Sequence, residues 1–264
     1  MKRKIALVLC MVLSVLCLAA CGGEEAQSDL AYVQDKGTMI VGITDYAPMD
    51  YRDENGTWIG FDADCANLVA KELGVKAEFL ILSDWSQKFY ELQTKNIDAI
   101  WNGLTLSEEV RNNSNPTKAY AKNAQVVIFP KDQTEKYPDV DSIQALSFAV
   151  ESGSSAEQLL KDLEIQNVVA LQDQTSSVME VAAGTVDACV VDLTLAKAMT
   201  GPGTGFPDLQ QGFSLSQEEY GVAFRKDSDL TERVNAILDD LRKDGTLQAL
   251  ADKYGIVLTD LTDG

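Results

Sequence analysis

Histidine is absent from all 264 residues. Its absence removes His-based triads, imidazole general bases and most zinc sites. Cysteine is scarce, five in all: Cys10, Cys17 and Cys21 crowd the N-terminus, while Cys65 and Cys189 stand far apart, without the spacing of a metal or redox motif. These last two read as buried small apolar residues or, in an oxidising compartment, as a pair. Basic side chains are also few, 22 Lys and Arg against 41 Asp and Glu, for a net charge of −19. Such a surface repels phosphate backbones, so nucleic acid is not an expected partner. Nothing in the pattern calls for a metal or an organic cofactor. The uncharged N-terminal run from Ile5 to Ala20 has sixteen residues, short of the roughly 20 that cross a bilayer core.

That run has its own meaning. Lys2, Arg3 and Lys4 precede it and small residues close it, the pattern of a secretory leader. Leu18-Ala19-Ala20-Cys21, followed by Gly22 and Gly23, resembles the bacterial lipoprotein signal. The resemblance implies cleavage before Cys21 and a lipid on its thiol, which would hold a soluble domain at the outer face of the membrane. Two or more acyl chains make such an anchor stable. The alternative is a plain secretory leader with an incidental cysteine. Removing residues 1–20 takes away three of the 22 basic residues and no acid, so −19 becomes −22. The 244 residues left suffice for one large domain or two of about 120. Residues 21–29 are small, acidic and polar, and read as a flexible tether.

From Leu30 onward strands and helices alternate. Thr38–Ile43 predicts a first strand and Tyr46–Asn55 a loop; Asp64–Leu73 has helical spacing and stops at Gly74. Glu78–Leu82 predicts a strand, Trp85–Thr94 a helix behind Ser83, and Ile97–Trp101 a short strand, the order of parallel βαβ units. Helix followed by Lys95-Asn96-Ile97-Asp98-Ala99 recurs as helix followed by Gly184-Thr185-Val186-Asp187-Ala188, which suggests two similar α/β lobes. Ala124–Phe129 and Tyr220–Phe224 are candidates for strands that cross between them. The expected layout is lobe 1 from 30–121 and 221–264, with lobe 2 from 122–220. The helix Leu230–Lys243 would pack back on lobe 1. Ligands of open α/β sheets bind outside the carboxyl ends of the strands, here in the cleft between lobes.

Several segments, in order, resemble one family: Asp45-Tyr46-Ala47-Pro48, Asn55-Gly56-Thr57-Trp58-Ile59-Gly60-Phe61-Asp62, Trp101-Asn102-Gly103-Leu104-Thr105-Leu106-Ser107, Glu151-Ser152-Gly153-Ser154-Ser155, Val186-Asp187-Ala188 with Asp192, and Glu218-Glu219-Tyr220-Gly221. The chain is similar to the extracellular solute-binding proteins of ABC importers for polar amino acids. That resemblance implies a two-lobed, type II periplasmic-binding fold, two α/β lobes joined by two crossing strands. It also implies that an amino acid or close analogue is captured by hinge closure and delivered to a membrane permease. A monomer and a non-enzyme are expected. Two other roles on the same scaffold are a sensor-type ligand-binding protein and a dehydratase-like enzyme; against the latter stand the missing histidines and the lack of an evident cleft carboxylate pair beyond Asp192.

The resemblance also implies ligand contacts. Asp192 would hold an ammonium, or else cap the helix from Leu193. Tyr46 and Trp85 would sandwich the ligand, or else be core aromatics, and Phe61 reads as core. Asn102, Gly103 and Thr105 would offer backbone groups and a hydroxyl to the ammonium and carboxylate, with Ser107 as a helix cap. Ser154 and Ser155 precede a helix whose amides suit an anion, or they only cap it. Glu151 stands where relatives often carry a basic or polar residue, and its role is left open. The family usually places an arginine directly after a Thr-x-Ser/Thr-x-Glu run, where it grips the ligand carboxylate bidentately. Here Thr105-Leu106-Ser107-Glu108-Glu109 is followed by Val110, and the arginine is Arg111. One helical residue is about 100° of rotation, so Arg111 is either a carboxylate partner through a shifted helix or a solvated surface residue.

Overall fold

The computed structural model describes residues 28–260; the expectations on the leader, on Cys21 and on the tether up to Gln27 lie outside the described residues. The end of the expected tether is not loose. Ser28 caps a helix, α1 (Asp29–Lys36), its Oγ accepting from the Ala31 amide at 2.9 Å, and Asp29 pairs with Arg225 at 2.9 Å. Chain order continues with β1 (Thr38–Ile43), a small hairpin of β2 (Tyr51–Arg52) and β3 (Trp58–Ile59), α2 (Phe61–Leu73) and β4 (Lys76–Ile81). A 3-10 turn at Trp85–Gln87 leads into α3 (Lys88–Gln93), then β5 (Ala99–Thr105), α4 (Glu108–Asn113), β6 (Asn115–Pro116) and β7 (Ala121–Asn123). Next come β8 (Gln125–Pro130), β9 (Phe148–Glu151), α5 (Ser155–Asp162), β10 (Val168–Leu171), α6 (Gln174–Ala183), β11 (Ala188–Asp192), α7 (Leu193–Met199) and β12 (Leu209–Ser214). The chain ends with β13 (Glu218–Phe224), α8 (Leu230–Lys243), α9 (Thr246–Tyr254) and β14 (Val257–Leu258).

The two large sheets follow one plan. In the first, β4, β1 and β5 are parallel and β13 lies antiparallel on β5, with β6, β7 and β14 beyond it. In the second, β10, β9 and β11 are parallel, β8 lies antiparallel on β11, and β12 closes the edge. Strands β8 and β11 are buried almost throughout, as continuous apolar runs covered on both faces should be. The internal echo is structural as well. Lys95 and Gly184 both take left-handed turns, at φ 63° and 72°. The Asp98 carboxylate then accepts from the Ile40 amide at 2.9 Å, and that of Asp187 from the Ser147 amide at 2.8 Å. Each aspartate thereby ties the end of one helix-to-strand connection to the neighbouring parallel strand.

Departures from expectation have physical causes. Helix α2 begins three residues early because Gly60, at φ 128°, makes the turn that an L side chain rarely adopts; Phe61 opens it and is fully buried. Strand β5 runs on to Thr105 because β13 pairs along it, Tyr220 opposite Thr105. Neither candidate crossing strand spans both sheets: hydrogen bonding changes partner at Ala124, and again between Ser214 and Glu218. Helix α8 matches its expected limits, burying Leu230, Val234, Ile237 and Leu238 on one face against α2 and β13. Cys65 on α2 and Cys189 on β11 are buried free thiols serving different sheets.

Candidate functional site: the cleft between the sheets

Topology explains why polar side chains converge. Because β8 is antiparallel to β11, its first residue, Gln125, lies opposite the last residue of β11, Asp192. Because β13 is antiparallel to β7, its first residue, Glu218, lies opposite Asn123. The carboxyl ends of β5, β9 and β11 and the starts of β8 and β13 therefore meet around a cavity of about 840 Å³, within the range of small-molecule sites.

At its floor two carboxylates share donors. Asp192 Oδ1 accepts from Asn123 Nδ2 at 2.5 Å and Gln125 Nε2 at 2.7 Å, and its other oxygen accepts from Gln174. Glu218 Oε1 accepts from the same two amides, each at 2.7 Å, and from Thr105 Oγ1 at 2.8 Å. Burial, and then the charge of Glu218, push the Asp192 carboxyl well above the usual range. Asp192 makes no side-chain cap to α7 although it stands at the capping position; its carboxylate is turned into the cleft. Glu151 adds a third acid to the wall, buried like Asp192 and pushed up by burial and then by Asp192, and accepts from Thr44 Oγ1 at 3.5 Å.

The other expected residues divide. Trp85 lines the cavity, with the Lys88 ammonium 5.4 Å from its ring centre. Asn102, Gly103 and Thr105 line it too, but inside β5 rather than after it. The Gly103 amide donates to Asp62, whose buried carboxylate also accepts from Tyr120 OH, at 2.6 and 2.7 Å. Ser107 caps α4 as expected. Ser154 is spent on capping, its Oγ accepting from the Glu157 amide at 3.2 Å, while Ser155 Oγ accepts from Gln125 Nε2 at 2.9 Å and lies 3.3 Å from Thr105 Oγ1. Tyr46 does not line the cavity. It is buried under Gly103 and carries its hydroxyl across the lobes to Thr194 at 2.5 Å, and to Tyr220 at 2.6 Å. Arg111 is not brought to the site either: it is exposed, and Val110 is buried on the cavity lining in its stead. Helix α4 starts directly after Ser107, with no adjustment of the turn that would swing Arg111 inward.

Glu218, Gln125, Gln174 and Lys88 were not singled out from sequence. Gln125 and Glu218 had a signal, since each opens an apolar strand at a crossing with a polar residue. Lys88 had none: it sits in a polar helical turn, yet is buried and donates across the lobes to the Gly153 carbonyl at 2.8 Å. Glu218 also supplies the carboxylate partner for Asp192 that the sequence did not reveal. Among the described residues no cluster of three or more acid or cysteine side chains is arranged to hold a metal ion, and no helix is long and apolar enough to cross a membrane.

Two lobes on either side of a polar, acid-floored cleft are the architecture of a solute-binding protein. Residues 39–256 match the family model of bacterial extracellular solute-binding proteins, family 3, and the chain belongs to that family, whose members work outside the cytoplasm. It is 33% identical to the probable amino-acid-binding protein YxeM of Bacillus subtilis (strain 168), over 96% of this chain and 95% of that one. Among solved structures it is similar to the P235GK mutant of ArgBP from T. maritima, at 30% identity and TM-score 0.80, over 86% of this chain and 99% of that one. It is likewise similar to the ancestral amino acid-binding protein AncCDT-1, a precursor of cyclohexadienyl dehydratase, at 29% identity and TM-score 0.79, over 86% and 99%.

Proposed function

We propose that this protein is the substrate-binding component of an ABC importer. It captures an amino acid or close analogue between lobe 1 (30–121 and 221–264) and lobe 2 (122–220), and the closed form delivers it to a membrane permease. Cys21 carries the lipid that holds it at the outer membrane face, and it acts as a monomer. The observation that carries this reading is Asp192: a buried carboxylate at a helix start that declines to cap the helix and faces the cavity instead. A cationic group there neutralises two neighbouring acids in a site that closure dries, where such pairing is strongest. The closed state is favoured by the ligand's differential affinity for it.

Amide donors hold both carboxylates of the Asp192–Glu218 pair in place. A turnover assay with candidate acids tests the dehydratase alternative, which the likeness to AncCDT-1 keeps in view. The main test is a thermal-shift panel on protein stripped of carried-over ligand by unfolding and refolding, using the twenty amino acids, amines, dipeptides and carboxyl-blocked analogues. Ligand at 100 times its Kd adds about 2.7 kcal/mol, a rise in Tm of roughly 5–10 °C for a chain of this size. Response to one or a few compounds supports binding; a panel that leaves Tm unmoved throughout sinks it.

A further inference from the structure

The donors at the floor of this cleft that could receive an anion are occupied by the protein's own carboxylate, and Ser216 Oγ is the one buried lining hydroxyl among the described residues without a partner. Thr105 Oγ1 donates to Glu218 Oε1 at 2.8 Å, Ser155 Oγ donates to Glu218 Oε2 at 3.3 Å, and Gln125 and Asn123 add their amide donors. A free amino acid would need such donors for its α-carboxylate and would bring a further negative charge beside Glu218 and Asp192. No guanidinium offsets that charge, because the lining carries Val110 and Arg111 is exposed. The basic residues on the lining are Lys88 and Lys161. Lys161 pairs with Glu157 at 3.8 Å and is largely exposed. Lys88 spends a donor on the Gly153 carbonyl and lies in the field of Glu109, Glu151, Asp84 and Glu157. Acceptors, by contrast, are in surplus. Asn102 Oδ1 and Gln125 Oε1, on buried lining residues, have no hydrogen-bond partner. The Gln125 amide cannot simply turn over, since its Nε2 is fixed by two carboxylates.

A lining with surplus acceptors and surplus negative charge matches a ligand made of donors and positive charge. We infer that the ligand is an organic cation without a free α-carboxylate, of the size of a decarboxylated basic amino acid, and that Glu218 takes the hydroxyl donors an α-carboxylate would use. This rests on the importer reading and narrows its ligand class.

The test is isothermal titration calorimetry with three matched pairs: agmatine and L-arginine, cadaverine and L-lysine, putrescine and L-ornithine. At least one amine is expected to bind about tenfold tighter than its amino acid, the worth of one charge-assisted contact. In E218Q the advantage should shrink by about tenfold or reverse, because the substitution removes both the attraction for the amine and the repulsion of the carboxylate. Circular dichroism establishes that the variant is folded. If it is not, L-arginine amide decides with the native chain: its blocked carboxyl should make it bind tighter than L-arginine. An amino acid that binds as tightly as its amine, or a neutral amino acid that outbinds all six, overturns the inference and leaves the importer reading standing. No binding by these or by any other compound of the thermal-shift panel overturns that reading too.

Discussion

Asp62 lies beneath the site without touching the cavity, yet it orients a strand of the cleft wall. Its carboxylate accepts from the Gly103 amide and from Tyr120 OH, and burial holds its pKa up, to about 7, against those two lowering contacts. In the unfolded chain an aspartate titrates near 3.9. Between the two values the folded protein binds a proton that the unfolded chain does not. This contribution to stability is therefore complete below about pH 4 and is lost as pH rises toward 7. Asp62→Asn keeps an acceptor for Gly103 and offers Tyr120 OH a donor instead, at nearly the same volume. The expected outcome is a Tm that falls less from pH 5 to pH 8 than in the parent, by up to one proton's linkage, about 1.4 kcal/mol per pH unit. The slope does not vanish, because Asp50, buried with neither oxygen hydrogen-bonded, is also pushed up. Parallel pH–Tm profiles for the two proteins would refute this account of Asp62.

At the scale of the element, β5 is where sheet and site meet, and Gly103 is its tightest point. Its φ is +56°, and a Cβ there would stand 2.6 Å from Tyr46 Cε1. That ring has little room to retreat, since its hydroxyl is tied to Thr194 and Tyr220. Gly103→Ala combines left-handed strain of roughly 1–2 kcal/mol with overpacking of roughly 1–3 kcal/mol. Denaturant unfolding should show a loss of about 2 kcal/mol or more, with the slope unchanged. A variant as stable as the parent would mean that Tyr46 moves freely and does not brace the two lobes.

For the molecule as a whole, the proposed capture requires the lobes to approach, and Gly153 marks one place where they touch. A Cβ on Gly153 would lie 2.6 Å from Ser86 Cα, backbone of the opposite lobe, with φ at +69°. Gly153→Ala therefore strains one residue in any state but obstructs only the closed one. Expected is a modest loss of unliganded stability, about 1 kcal/mol, together with a fall in ligand affinity of about tenfold or more. In small-angle scattering the radius of gyration should contract less on adding ligand. Full contraction with unchanged affinity would show that closure does not bring Gly153 against Ser86.

Much of the fold was legible in the order of residues because its signals are local. Thr38–Ile43 and Leu230–Lys243 appear at their expected limits, since strand alternation and helical spacing are set within a few positions. The repeated Asp98 and Asp187 connections identified two alike lobes for the same reason. The sequence also determined that the site would be free of histidine, and it placed Asp192, Thr105 and Trp85 near strand and helix ends. The facing of single side chains was left to the tertiary structure. Val110 rather than Arg111 meets the cavity because α4 starts directly after Ser107, and one residue on a helix is about 100°. Glu218 joins Gln125, 93 positions away, only because two antiparallel strands begin where parallel ones end. Long-range pairing, not local propensity, brings such residues into contact, and it is that pairing which gives the cleft its surplus of negative charge.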